Sequence, residues 1–562
     1  MKSFLLLAAM MIAFTGEASA TAYHVSDCGS GATSACVAGN DSNPGTSPAA
    51  PWKTCAKVTA RFPSLAAGDQ ILFARGSAQN ACQLYFLSNL NSRAANPIVF
   101  GAYTPSWATG TTAVPILRGI SSSYTLGLIN SGVSTHDEGY VVQDLHFIGL
   151  GVSANMPAMM MSNDVDYVTI RRVEVEGFRI GIQCEGGTNS ALAAGSDGLT
   201  QHIVIRDSNF HHNRGAGLYS TCSDLLVENN RFDNNGVGLL DHHLYVTNSG
   251  VGGVARTTTQ VVIRGNTLTN NAPYVSATAV VPTPGACASV AIVAHGVMDG
   301  LIIENNSVVE PTVPASGSCW GISVDSGGYG HREGFSNVSI RGNTVVNYAV
   351  GVGLDLCDTC TIENNYVYSE RPASAGVVAP SKYHQAAIPG NTLNNNLTIR
   401  NNTVYMKYPT YGSVGVRITR DGASHLVASN LIYFGTGSTA DTACFNTSEL
   451  SATAFQAFDY NLCYFAAVPG KWDSTRGTLA AQRTAGMDTH SQSGNPLLNA
   501  PVPPLYTLTM GANSPALRAG HPSSSAKLSF DGLRRDSTSD IGAFQQGATV
   551  VVPSNPTGMS IR

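Results

Sequence analysis

The chain has 562 residues, of which 12% are charged, 58 are glycine and 12 are cysteine, and its formal net charge is −5. No basic face offers itself to nucleic acid. The weak negative balance gives no general attraction for an acidic glycan, although it does not forbid one. Length alone does not demand several domains, because repeat architectures grow in one dimension.

Residues 1–20 read as an export signal: Lys2, the apolar run FLLLAAMMIAF and the small-residue site Ala18-Ser19-Ala20, with the mature chain starting at Thr21. The run is too short to span a bilayer, and no other stretch reaches about 18 apolar residues. The expectation is a secreted (extracellular or periplasmic) monomer without a membrane span. Twelve cysteines in such a chain read as disulfides. Sequence neighbours suggest Cys28–Cys36, Cys55–Cys82, Cys184–Cys222, Cys287–Cys319, Cys357–Cys360 and Cys444–Cys463. Cys357 and Cys360 form a CxxC with no second copy to complete a zinc site.

Residues 21–96 differ in pattern from the remainder of the chain. A strand opens at Tyr23-His24-Val25, and Lys53 to Phe62 has weak helical periodicity, fit to plug the open end of a stack of strands. From residue 97 to 489 the reading is nearly all β, with short strands between Gly, Asn and Asp turns. Within it one pattern recurs: VIRDSNF, LVENNRF, VIRGNTL, IIENNSV, SIRGNTV, TIENNYV, TIRNNTV and LVASNLI. The repeat asparagines are Asn209, Asn230, Asn266, Asn306, Asn343, Asn365, Asn402 and Asn430, separated by 21, 36, 40, 37, 22, 37 and 28 residues. A floor near 21 with variable excess describes a coil of fixed circumference carrying insertions. Parallel stacking of coils places each asparagine over the next, where inward amides can bond to one another and to backbone. Residues 490–545 read as a closing segment and 546–562 as a loose tail.

Three stretches carry a resemblance. They are YHVSDCGSG with NPGTSPAAPWKTCAKV and AGDQILFARG, the IRGNTV-type repeat, and SPALRAG…DGLRR…DIGAF. With them the chain resembles the secreted right-handed parallel β-helix proteins of the pectate-lyase-like superfamily. The resemblance implies an all-β, single-stranded right-handed solenoid with an N-terminal cap and a C-terminal closing segment. It does not choose among the lyases, hydrolases, epimerases and non-catalytic modules of that superfamily.

On a strand, alternate side chains point outward. Setting Ile182, Cys184, Leu218, Ile322, Val324, Val352 and Leu354 inward leaves an outward column. It holds Gln183, Glu185, Tyr219, Thr221, Asp241, His243, Tyr245, His295, Ser323, Asp325, Asp355 and Arg417. Long insertions flank these coils, as groove walls do. If Leu244 points in, then Asp241, His243 and Tyr245 point out together. A carboxylate beside an imidazole and a phenol suits removal of a sugar C5 proton. Asp325 and Asp355 occupy matching positions in successive coils, which suits a glycosidase pair. Arg332 or Lys382 can meet a substrate carboxylate, and Tyr219, Tyr245, Tyr274, Trp320 and Tyr329 can stack on sugars. His211 and His212 lack a third metal ligand at a recognisable spacing. Calcium is the cofactor left open.

Three readings stand. The first is a polysaccharide lyase acting on a uronic-acid glycan by β-elimination, with His243 or Tyr245 as base and a cation on the carboxylate. The second is an inverting glycoside hydrolase using Asp325 and Asp355. The third is a non-catalytic glycan-binding or adhesion β-helix.

Overall fold

The computed structural model describes residues 20–546 except 88, 109–112, 130–136, 187–198, 249, 252–253, 277, 329–331, 383–387, 389, 411, 421 and 503–508. The expected targeting segment and nearly all of the tail therefore lie outside the described residues. No helix among them is long and apolar enough to cross a membrane.

Three long parallel sheets form a solenoid. Each coil contributes one strand to the first sheet, turns, adds one to the second, turns again and adds one to the third. The sheets hold 14, 14 and 13 strands. The coil through Ile203–Arg206, Asn209–His211 and Ala216–Ser220 shows the order. Strands this short cannot bury apolar surface alone, so each coil depends on its neighbours. Inward residues fill one continuous core: Ile182, Cys184, Leu218, Ile322, Val324, Val352 and Leu354 are all buried there. At the N-terminal end the helix Cys55–Arg61, capped by the Thr54 hydroxyl, sets Phe62 over the core. The Phe62 ring stacks on Phe100 at 5.6 Å. The six disulfides join the six pairs of cysteine neighbours.

The bend between the first and second sheets is built on an amide ladder. Each ladder residue directs Oδ1 at the coil before it. Asn230 donates its backbone N–H (2.9 Å) and its Nδ2 (3.1 Å) to Asn266 Oδ1, and a second Nδ2 bond goes to Ile205 O at 2.9 Å. The same pattern runs through Asn266, Asn306, Asn343, Asn365, Asn402 and Asn430 to Asn461. The ladder differs from the sequence reading at both ends. The first rung is Ser208, whose N–H donates to Asn230 Oδ1 at 3.1 Å, whereas Asn209 lies one position later on the second sheet, opposite Arg231. Asn461 is a further rung, closed by Ser491 Oγ at 2.8 Å.

The residue before each rung is left-handed: Asp207, Asn229, Gly265, Asn305, Gly342, Asn364, Asn401, Ser429 and Tyr460 all have positive φ. That conformation explains why Asn, Gly and Asp dominate this position of the repeat. Outside the bend, Arg264, Arg341 and Arg400 pair with Glu228, Glu304 and Glu363 of the preceding coils. This explains the alternation of arginine and glutamate between copies.

Two further carboxyls are buried in the bends. Burial pushes Glu310 up to about 8, although Asn271 N–H and the Tyr348 hydroxyl donate to it. Burial likewise raises Asp488, beside the last rung, to about 7.

Asn343→Ala removes the acceptor for both the N–H and Nδ2 of Asn306 and the donor to Ile303 O. Buried groups left unpaired make this cost about 2–4 kcal/mol in urea unfolding, whereas Asn209→Ala should cost less than about 0.5 kcal/mol. Equal losses would remove the ladder from the account. Glu310 and Asp488 hold protons in the fold that the unfolded chain releases above its ordinary carboxyl range. Their contribution to stability therefore falls as pH rises from about 4 to about 8. Thermal unfolding between pH 5 and pH 9 should show this decline, and Glu310→Gln should flatten it. An unchanged slope in that variant contradicts the assignment.

Candidate active site

The site grows from the third sheet. Its register aligns Tyr219, Tyr245, Val293, Ser323 and Gly353 in one outward row across neighbouring strands. Parallel pairing continues one residue beyond the strand ends. His295 N–H donates to Val246 O, Asp325 N–H to Ala294 O, Asp355 N–H to Val324 O and Ser381 N–H to Leu354 O. A second row therefore carries His295, Asp325 and Asp355 on successive coils, the matching positions expected for the two aspartates.

Asp325 is the hub. Its side chain has no solvent exposure, and Oδ1 lies 2.8 Å from Lys382 Nζ and 3.3 Å from His295 Nδ1. Oδ2 accepts from the Ser323 and Ser381 hydroxyls. Burial alone pushes this carboxyl up. The His295 hydrogen bond and the Lys382 charge outweigh burial and hold it down at about 2. Gly353 makes the arrangement possible, since a Cβ there would stand 2.8 Å from Ser381 Cβ and 3.2 Å from Ser323 Oγ.

His295 Nδ1 is 2.7 Å from Asp325 O, with the carboxylate also in reach. Both are acceptors, so Nδ1 carries the proton and Nε2 the lone pair of the neutral ring. The ring stands edge-on to Tyr245 at 5.4 Å, a diagonal neighbour across the two strands. On the other side of Tyr245 lies the His242 ring, at 5.3 Å. His242 Nδ1 faces Val290 O at 2.9 Å and Ser289 Oγ at 2.8 Å. Burial lowers His242 to about 4, so it is a neutral imidazole at ordinary pH. Tyr219 closes the row, edge-on to Tyr245 at 5.2 Å. Burial, with Glu185 nearby, raises its phenol.

Sequence reasoning missed Ser381 and the role of Glu333. Glu333 is fully buried and accepts from the N–H groups of Gly296 (3.1 Å), Gly327 (2.7 Å) and Gly328 (3.0 Å) and from Ser326 Oγ (2.9 Å). Gly296 follows His295, and Ser326 O accepts from Lys382 Nζ at 3.0 Å. One carboxylate thus fixes the loop that orients both groups.

Other expected site residues fall elsewhere. His243 does not point out with Tyr245. The strand begins only at Leu244, so residues 241–243 are still in the turn and alternation does not reach them. His243 has no exposure, takes a 3.1 Å contact from Asn235 Nδ2, and is lowered to about 3 by burial. Asp241 is half-buried and closes its own turn by accepting Val237 N–H at 3.0 Å, with burial raising its carboxyl. Asp355 is fully buried and accepts from Leu356 N–H at 2.8 Å and Asn394 Nδ2 at 3.3 Å. Arg332 is exposed, with its stem against Gly390.

Trp320 starts the strand that Val324 ends. It lies at the far edge from Asp325, and its indole N–H goes to Gly317 O at 3.0 Å. Tyr274 is buried under Arg214 at 4.2 Å. Arg417 is half-buried in the Ser323 row, three strands away through Gly353 and Val378. Tyr329 lies outside the described residues. His211 faces Glu174 at 3.0 Å and His146 faces Glu176 at 3.1 Å, so these histidines belong to a hydrogen-bonded cluster on the second sheet.

For a metal, the one group of three ligand-type residues gathered among the described residues is Cys287, Glu310 and Cys319. Its two sulfurs form a disulfide. Calcium needs several oxygens, whereas the Asp325 carboxylate is turned toward hydrogen-bond donors and cations.

The family description "right handed beta helix region" matches residues 158–328. No curated protein matches the chain. Among solved structures, the A-module of the mannuronan C-5 epimerase AlgE6 of Azotobacter vinelandii is 14% identical, with 79% of this chain and 95% of that one covered and a TM-score of 0.39. The complex of XylC with xylose is 9% identical over 94% and 98%, with a TM-score of 0.45. An alginate lyase from Paenibacillus sp. str. FPU-7 is 12% identical over 70% and 99%, with a TM-score of 0.31. Likenesses this distant carry no argument about function. The chain is a right-handed parallel β-helix, the fold of the pectate-lyase-like superfamily that its sequence resembles.

Proposed function

We propose that this protein is an exported enzyme acting on a uronic-acid-containing polysaccharide, which it cleaves by β-elimination. The observation that carries this reading is Tyr245 set between two imidazoles, one of them joined through Asp325 to Lys382. In the proposed reaction His295 Nε2 takes the C5 proton. Electron density moves into the substrate carboxyl, then forms the C4–C5 double bond as the C4–O bond breaks. The Tyr245 phenol protonates the departing oxygen. Asp325 orients the imidazole and stabilises its charged form. An ammonium has three N–H groups. Lys382 spends one on Asp325 and one on Ser326 O, and the third meets the substrate carboxylate, where the developing charge needs it.

The paired-carboxylate reading is weaker on this geometry. A hydrolase needs a protonated general acid at the groove surface. Asp325 is held ionised down to about pH 2, and neither Asp325 nor Asp355 has any exposure. Six disulfides and the targeting segment support export.

Tyr245→Phe and His295→Ala should each lower the appearance of ultraviolet-absorbing unsaturated ends on polyuronates by at least about 100-fold with unfolding unchanged. Gly353→Ala, which crowds Ser381 off Asp325, should lower it by about tenfold or more. Full activity in His295→Ala would sink the proposed base.

A further inference from the structure

On another face of the solenoid, a groove of about 890 Å³ lies between the outer side of the first sheet and the C-terminal segment. Its wall carries five cationic side chains against three carboxylates, in a chain whose net charge is −5. Three of those cations are already committed. Arg341 and Arg400 pair with Glu304 and Glu363 at 2.6 and 2.7 Å. Arg535, 6% exposed, holds Gly542 O at 2.7 Å, Ala543 O at 2.8 Å and Asn364 Oδ1 at 2.9 Å.

Lys527 and Arg534 are different. Both are exposed, and neither makes a side-chain hydrogen bond or ion pair among the described residues. They ride on one loop, closed by Arg535 N–H to Lys527 O at 3.0 Å and by the Leu528–Arg534 bridge. The buried Arg535 guanidinium inside that loop fixes it to the solenoid. The backbone that carries the two cations is therefore fixed before any ligand arrives, which lowers the entropy cost of binding. Beside them, the exposed Ser523 and Ser537 offer hydroxyls, and the half-buried Phe530 ring offers an apolar face. Cations without a protein partner, hydroxyls and an aromatic ring are the groups that recognise a carboxylated sugar chain.

We propose that this groove is a second, non-catalytic binding site for a carboxylated oligosaccharide, which keeps the polymer on the enzyme between cleavage events at the third sheet. The choice of ligand class rests on the uronate reading of that site. The binding itself does not depend on its chemistry.

The test is affinity electrophoresis of the full chain carrying Tyr245→Phe, which leaves the polymer intact. Gels contain polygalacturonate, neutral dextran or dextran sulfate at low salt. The expected result is selective retardation by polygalacturonate, with the apparent affinity falling about tenfold when Lys527→Ala and Arg534→Ala are added. Retardation unchanged by that double substitution overturns the proposal, as does retardation by dextran sulfate alone or equally by dextran. If the unsubstituted enzyme forms no unsaturated ends while this selective retardation persists, the reaction reading fails and the second site stands.

Discussion

Everything in this molecule depends on how a three-sided coil turns its corner without stranding backbone polar groups. The asparagine ladder solves this at the bend between the first and second sheets. Each inward amide satisfies the N–H and Nδ2 of the rung before it, and its own Nδ2 reaches a carbonyl of the preceding coil. A buried polar group without a partner costs more than a formed bond returns, so the ladder works mainly by leaving nothing unpaired. It also fixes register, because a slipped coil would break two rungs at once. The third sheet inherits that register. Tyr219, Tyr245 and Ser323 meet in one row, and His295 and Asp325 in the next, because the corners repeat without drift.

At the site, opposing electrostatic effects separate the groups. Burial pushes Asp325 up and His242 down. Asp325 escapes because a lysine, an imidazole and two hydroxyls converge on it. At His242 burial outweighs the Val290 carbonyl and the more distant Asp325 charge, and His295 and Lys382 push the same way as burial. The result, at ordinary pH, is one carboxylate and one neutral imidazole on either side of the Tyr245–His295 pair. The supporting groups come from loops far apart in sequence. Glu333 lies on the loop after Asp325 and Ser381 after the next strand but one, and Gly353 contributes by having no side chain.

Much of the fold was legible in the sequence because its cause is local. The left-handed residue before each rung must be Asn, Gly, Asp or a tolerant substitute, so the repeat shows itself. The register was readable to within one residue: VIRDSNF has its serine, not Asn209, in the rung, and the chemistry of the bend accepts either. The rung at Asn461 hid behind an aromatic neighbour, Tyr460, in the left-handed position. Within the site, alternation located Tyr245, Ser323 and the matched Asp325 and Asp355, because those lie on strands or one residue beyond them. It failed at His243, where the chain is still turning and alternation has no meaning. It could not find Ser381 or the work of Glu333, since these rest on packing between insertions, for which a single sequence carries no periodic signal.

The central claim is that the Tyr245–His295–Asp325–Lys382 cluster removes a proton rather than adds water across a glycosidic bond. The most direct measurement counts unsaturated ends by ultraviolet absorbance and reducing ends chemically, in the same digest of a polyuronate by the protein. The account predicts that the two rise together in a ratio of about one, since each elimination creates one of each. Reducing ends appearing without unsaturated ends would contradict it and return the chemistry to hydrolysis.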